Sequence, residues 1–250
     1  MLSISVVIIT KNEAINIASC IRAARQLSDD IIIADSGSID NTVEIAEKEG
    51  ASILKIEWTG YGNARNRAAE VARNNWILAI DADERVTPML VAAIGNIIDA
   101  GDNTIYGFKR ESYFLGKKIR FGNFGRDKVY RLYNKHNISW DAAQVHENLI
   151  GNNVTRQLIG GHLEHYTIRE MKENEAKVYK YAQLNAEKYF EQGRKATLVK
   201  RFLSPAIGFI QPYFLRLGFL DGKAGFLVCY SNAKCTWLKY KYLHEMGKVD

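Results

Sequence analysis

The chain of 250 residues is 47% hydrophobic, 25% charged and 11% aromatic, a composition that suits a globular protein with a sizeable core and excludes disorder, a collagen-like repeat and a coiled coil. Its formal charge of +6 is unevenly spread: residues 1–171 hold 20 Lys and Arg against 21 Asp and Glu, whereas 172–250 hold 14 against 7, so all of the basicity is C-terminal. Cys20, Cys229 and Cys235 form no CxxC pair, which argues against a disulfide framework and a structural zinc site and favours a reducing, cytosolic compartment.

The opening Ile4 to Ile9 is a β-branched run with no basic segment before it and no small-residue cleavage site after it, so it reads as a first strand, buried on both faces, rather than a signal peptide. Asn12 is the expected N-cap of a helix whose Ile17, Ile21, Ala24 and Leu27 share one face. Asp30 to Ala34 is the next strand, closed by Asp35-Ser36-Gly37-Ser38, and Asp40 starts a helix that ends at Gly50.

A third strand is expected over Ser52 to Ile56, a helix over Gly62 to Arg73, and a fourth strand over Trp76 to Ile80, running into Asp81-Ala82-Asp83. Thr87-Pro88 begins a helix in the N-cap and N1 arrangement, carrying Leu90, Val91, Ile94 and Ile98. This alternation predicts a parallel, doubly wound half-domain. From Thr104 short aromatic stretches predict mixed sheet and loop; a helix over about Arg169 to Gln192 and an apolar, basic tail follow.

Ligands of open α/β sheets bind beyond the carboxyl ends of the strands, which places Thr10-Lys11-Asn12-Glu13, Asp35-Ser36-Gly37-Ser38 and Asp81-Ala82-Asp83 at the site. No GxGxxG follows the first strand and no GxxxxGK[ST] occurs, so the nicotinamide and P-loop readings fail. Two carboxylates one residue apart at the mouth of a buried strand suit a hard divalent cation, Mg2+ or Mn2+, that also touches substrate phosphates. Arg65 and Arg67, on the preceding helix, are placed to contact a diphosphate or to lie on a solvated face.

Together the runs Val6 to Glu13, Asp35 to Thr42, Ala64 to Arg67 and Leu78 to Glu84 resemble glycosyltransferase family 2 in order, spacing and strand context. Within it the chain is most similar to lipopolysaccharide core glucosyltransferases of the WaaE and KdtX type, to which Val145-His146-Glu147, His165-Tyr166 and the Tyr-rich helix ending near Gly193-Arg194-Lys195 also correspond. The resemblance implies an α/β fold of the GT-A type: a Rossmann-like nucleotide-binding half (1–100), an acceptor half with a mixed sheet (101–168) and a helical, basic extension (169–250).

It also implies a UDP-sugar donor, a divalent metal and inversion at the anomeric carbon. Thr10 and Glu13 would line the nucleoside pocket, Asp35 would accept a hydrogen bond from uracil, and Asp81 would lie near the ribose and metal. Asn12, Gly62, Arg65 and Ala82 would complete the donor contacts, and Asp83 would bind the metal. The base must approach from the acceptor side, where Glu147 is the first choice and Asp141, beside Trp140, the second. His165, in its His-Tyr context, is the expected imidazole ligand of the metal, with His146 second.

Phe202 to Leu220 is apolar but broken by Pro205, Gln211, Pro212 and Arg216, too interrupted for a spanning helix. Flanked by Lys195, Lys200, Arg201, Lys223, Lys234, Lys239 and Lys241, it fits an element lying in the plane of an anionic membrane surface, against the alternatives of packing on the catalytic domain or forming a homodimer interface. The expected protein is thus a peripheral enzyme of the inner face of the cytoplasmic membrane, moving a hexose, most simply glucose, to a lipid-linked saccharide acceptor such as the lipopolysaccharide core. A nucleotidyltransferase of similar fold and a non-catalytic protein binding lipid or nucleic acid through its tail are the competing readings. The near-neutral N-terminal region and the lack of any nucleic-acid-binding motif weigh against nucleic acid.

Overall fold

The computed structural model describes residues 2–98, 100–141 and 147–247. Strand β1 (Ile4–Thr10) is buried along its whole length, as a β-branched run covered on both faces should be. It leads through a loop to α1 (Ile17–Ala24), which buries Ile17, Cys20, Ile21 and Ala24. Asn12 does not cap this helix. It sits well before it with φ 56°, and its Oδ1 accepts the Ile39 N–H at 2.8 Å, so the side chain ties two strand-end loops together instead.

Next come β2 (Ile31–Asp35), α2 (Thr42–Lys48), β3 (Ser52–Lys55), α3 (Tyr61–Glu70) and β4 (Trp76–Asp81). A three-residue strand that the sequence reading lacks, β5 (Glu84–Val86), precedes α4 (Pro88–Gly95). Thr87 caps α4 as expected, accepting the Leu90 N–H at 3.3 Å with Pro88 directly after it. The helix stops at Gly95, so Ile98 falls outside it and is exposed rather than part of its core stripe.

The remaining strands are β6 (Thr104–Phe114), β7 (Lys117–Lys118), β8 (Lys128–Asn134), β9 (Ile138–Trp140), β10 (Leu149–Gly151) and β11 (Thr155–Ile168). The main sheet runs β3-β2-β1-β4-β8-β6-β11-β5, with β7 beside β6; β9 and β10 form a separate antiparallel pair. β1, β2, β3 and β4 are parallel, while β8 joins β4 antiparallel, so the sheet is mixed.

Alternate residues of the central strands feed two cores. Val6, Ile8, Ile33, Leu78 and Ile80 meet Ile17 and Ile21 of α1 and Leu90 and Ile94 of α4. Val7, Ile9, Ile32, Ile77 and Ala79 meet Ala64, Ala68 and Ala69 of α3 on the other face. The alanines let α3 approach the sheet closely, and burying each large aliphatic side chain stabilises the fold by roughly 1.5–3 kcal/mol.

The chain divides into two compact units, residues 1–110 with 128–165, and 111–127 with 166–250. The second is larger than the expected extension, because it takes in 111–127. Its helices are α5 (Met171–Glu191), α6 (Leu198–Ile210) and α7 (Gly222–Met246). Asn174 of α5 donates to Ser231 of α7 at 2.7 Å, and Val178 and Ala182 pack with Leu238. Asp221 binds the inserted segment to the helices by accepting the Phe121 N–H at 2.9 Å and the Arg120 N–H at 3.1 Å.

Candidate active site

In the sheet register Thr10 lies opposite Asp35 and Ile9 opposite Asp81, so the carboxyl ends of β1, β2 and β4 share one edge. Thr10 is buried, and its Oγ1 has no hydrogen-bond partner among the described residues. Asp35 is buried and turned into its own loop, where it accepts the Gly37 and Ser38 N–H groups, each at 3.0 Å, and the Ser38 hydroxyl. Glu13 accepts from Asn16 at 2.7 Å, and its N–H donates to Thr42 at 2.8 Å. The loops after β1 and β2 are therefore one hydrogen-bonded wall, with Asn12 as a strut.

Beyond β4 the chain turns sharply, and Glu84 holds the turn: fully buried, it accepts the Asp81 N–H at 2.9 Å and Arg110 at 3.1 Å. β5 then pairs with β11 so that Glu84 lies opposite His165. This register brings His165 Nε2 to 3.3 Å from Asp83 Oδ2. Burial alone would hold the imidazole neutral, but the hydrogen bond and charge of Asp83, with Glu84 behind, raise its pKa above the ordinary value. Its Nδ1 is buried without a partner among the described residues. Ala82, between the two aspartates, packs into the core.

Asp81 is differently engaged. Arg65 donates to one of its oxygens at 2.7 Å and Arg131 to the other at 3.3 Å. Burial favours the protonated acid, yet the two guanidinium charges prevail and hold the carboxyl well below the usual range. Arg65 also donates to Glu147 Oε1, so one guanidinium joins the end of β4 to the segment just before β10. Its Cζ lies 4.7 Å from the Trp140 ring centroid. Arg65 is thus enclosed at 1% exposure. It bridges two carboxylates of the site, so of the two placements that the sequence offered, a diphosphate contact or a solvated helical face, the solvated face does not hold.

Gly62 supports the same corner by its lack of a side chain: a Cβ there would stand 2.1 Å from the Asp141 carbonyl oxygen and 3.2 Å from Trp140 Cβ. Asn66 exchanges two hydrogen bonds of 2.9 Å with the backbone of Trp140. Asp141 is half-buried next to it, its N–H donating to Asn148 at 2.9 Å. His146 lies outside the described residues.

Sequence reasoning missed Arg131, Glu84 and Arg110. Arg131 had a signal, a cation in the middle of the apolar and aromatic run Val129 to Tyr133. Among the described residues no three His, Cys, Asp or Glu side chains gather into a complete metal cage. Asp83 and His165, an oxygen and a nitrogen donor side by side, fit a hard or borderline divalent ion that takes its remaining ligands from elsewhere.

The strand ends thus gather acidic residues, joined through Arg65 to the further carboxylate of Glu147, at the edge where open α/β sheets bind their ligands. Residues 5–158 match the sequence profile of glycosyl transferase family 2, and the chain belongs to that family: it is a glycosyltransferase of the GT-A type. It is 28% identical over 259 residues to an uncharacterized glycosyltransferase of Rickettsia bellii, covering 98% of this chain and 87% of that protein. It is 27% identical over 251 residues to the lipopolysaccharide core biosynthesis glycosyltransferase LpsC of Rhizobium meliloti, covering 98% and 93%. Glucosyl-3-phosphoglycerate synthase from Mycobacterium tuberculosis, crystallised with Mn2+, UDP and glucosyl-3-phosphoglycerate, is 24% identical with a TM-score of 0.36, over 45% of this chain and 44% of that one.

Proposed function

We propose that the enzyme transfers a hexose, with glucose the simplest choice, from a UDP-sugar to a saccharide of an envelope glycolipid, with inversion at the anomeric carbon. The observation that carries this reading is the joined network Asp81–Arg65–Glu147 beside the Asp83–His165 pair. It sets an acidic strand end, suited in this reading to a cation, next to the carboxylate of Glu147, which the reading assigns to the acceptor side. Relatedness to a lipopolysaccharide core enzyme over nearly the whole chain supports the acceptor class.

In this reading Thr10, Asn12, Glu13 and Asp35 form the nucleoside wall. Asp83 and His165 would hold Mg2+ or Mn2+, which when bound offsets charge on the departing diphosphate. Asp81, fixed by its two arginines, shapes the ribose side. Glu147 takes the proton from the attacking acceptor hydroxyl, Asp141 being the second choice, and Arg65 fixes the direction in which that carboxylate points.

The helical unit is the membrane-facing part of the proposal. On α6 and the turn after it, Phe202, Leu203, Ile207, Ile210, Phe214 and Leu215 are all exposed, and Lys200, Arg201 and Lys223 lie nearby in sequence. No helix among the described residues is long and apolar enough to cross a membrane. An in-plane apolar stripe with basic neighbours suits peripheral binding to anionic lipid.

The deciding experiment incubates a panel of UDP- and GDP-sugars with the enzyme and Mg2+, Mn2+ or a chelator. Metal-dependent release of UDP from one sugar is the expected result. Pyrophosphate release in a parallel incubation with UTP and a sugar 1-phosphate, without UDP release from any nucleotide sugar, would identify a nucleotidyltransferase, and failure to bind or turn over any nucleotide sugar would overturn the reading.

A further inference from the structure

Beside Glu147 the catalytic unit carries a cavity of about 360 Å3 whose walls include Lys128, Arg131, Trp140, Glu147 and Arg156, a size within the range of small-molecule sites. Its cations, Lys128, Arg131 and Arg156, outnumber its one carboxylate, Glu147. The carboxylate of Glu147 is already taken by Arg65, which leaves the cations. Arg131 spends Nη2 on Asp81 at 3.3 Å, while its Nη1 is buried with no partner among the described residues. An unpaired buried charged donor is costly, and an incoming anion relieves that cost.

Arg156 is exposed but tethered at the wall. Its Nη2 donates to the Leu149 carbonyl at 3.0 Å, and its guanidinium lies 5.9 Å from the centroid of Tyr130. Lys128 stands exposed at the start of β8. Carboxylates and phosphates are the groups that guanidinium forks and ammonium donors recognise best. A pocket for an uncharged sugar alone gains nothing from three cations gathered beside its base.

We infer that this cavity is an acceptor subsite for an anionic saccharide, its phosphate or carboxylate held by Arg131, Arg156 and Lys128 while a neighbouring hydroxyl faces Glu147. The word acceptor rests on the glycosyltransferase reading; the preference for an anion does not. Phosphate and carboxylate share the recognition chemistry, and the test separates them.

The full-length protein, without donor, is titrated calorimetrically with glucose, glucose 6-phosphate and glucuronate. One or both anionic sugars bind at least about tenfold more tightly than glucose, and the advantage shrinks in about 0.5 M NaCl. It disappears in the Lys128→Ala/Arg156→Ala variant and largely survives in Arg156→Lys, with circular dichroism melting curves confirming that both variants fold. The stronger of the two ligands names the anion. Equal affinities for all three sugars, or a preference unchanged in the double variant, overturns the inference. UDP-sugar turnover without the anion preference sinks this inference alone. The preference without any sugar-nucleotide turnover upholds the anionic site and sinks the reading of the reaction.

Discussion

The two units break the ordinary rule of burial in opposite directions. In the catalytic unit charged groups are enclosed, Arg65 at 1% and Glu84 at 0% exposure. In the helical unit large apolar groups lie in the open, Phe202 at 63% and Leu215 at 76%. Either departure costs stability unless something uses it. The first concentrates electrostatic work in a confined place, as catalysis requires. The second leaves a surface with an unmet preference for a non-aqueous neighbour.

The sharpest way to break this contrast is at Glu147. Glu147→Gln keeps the shape and the Arg65 contact but removes the proton acceptor, so transfer should fall by about 10^2 to 10^4-fold while UDP binding, followed by calorimetry, stays unchanged. Near-normal turnover would return the residue to a purely structural role.

A smaller effect is expected on the other side. Phe202→Asp with Leu215→Asp should weaken association with anionic vesicles by about tenfold or more, measured by flotation at low salt. If the unaltered chain does not float with such vesicles, the lipid reading fails and the stripe needs another partner.

The smallest effect tests buried polarity away from the site. Asp30 accepts from Ser5 and twice from Arg73. Burial pushes its pKa up, but these hydrogen bonds and the Arg73 charge outweigh it, so the folded value lies below the ordinary one. Its contribution is therefore present above the unfolded value near 3.9 and is lost as the pH falls through the lower folded value. Asp30→Asn should cost about 1 kcal/mol at neutral pH, because Arg73 is mostly exposed and water screens the pair. The cost should vanish in strong acid, as read from denaturant midpoints; a difference independent of pH would refute the assignment.

The parallel half of the fold was legible because β1, β2 and β4 are covered on both faces, and runs such as Val6 to Ile9 have no polar phase to confuse the reading. The Asp81-Ala82-Asp83 turn could be placed for the same reason. β5 could not, since Glu84-Arg85-Val86 has no local preference for a strand and exists through its pairing with Leu163 to His165. Arg65 was legible in principle: Ala68 and Ala69 follow at three and four residues, so the arginine shares their sheet-facing side. Amphipathic habit instead assigns a helical arginine to solvent. The turn at Asn12 depends on a partner loop far along the chain, which no local signal discloses.

The bridge made by Arg65 also constrains how this site could change over generations. Truncating Asp81 or Glu147 to alanine removes a hydrogen-bond acceptor as well as a charge and leaves the enclosed guanidinium unsatisfied, a loss of roughly 3–5 kcal/mol for buried pairs and a large share of the stability of an ordinary domain. A lineage that alters Asp81 must therefore replace Arg65 too, and by doing so releases the carboxylate of Glu147. If Asp81 serves the donor and Glu147 the acceptor, as proposed, the two preferences are inherited as a single linked trait, reached by paired substitutions rather than by one at a time.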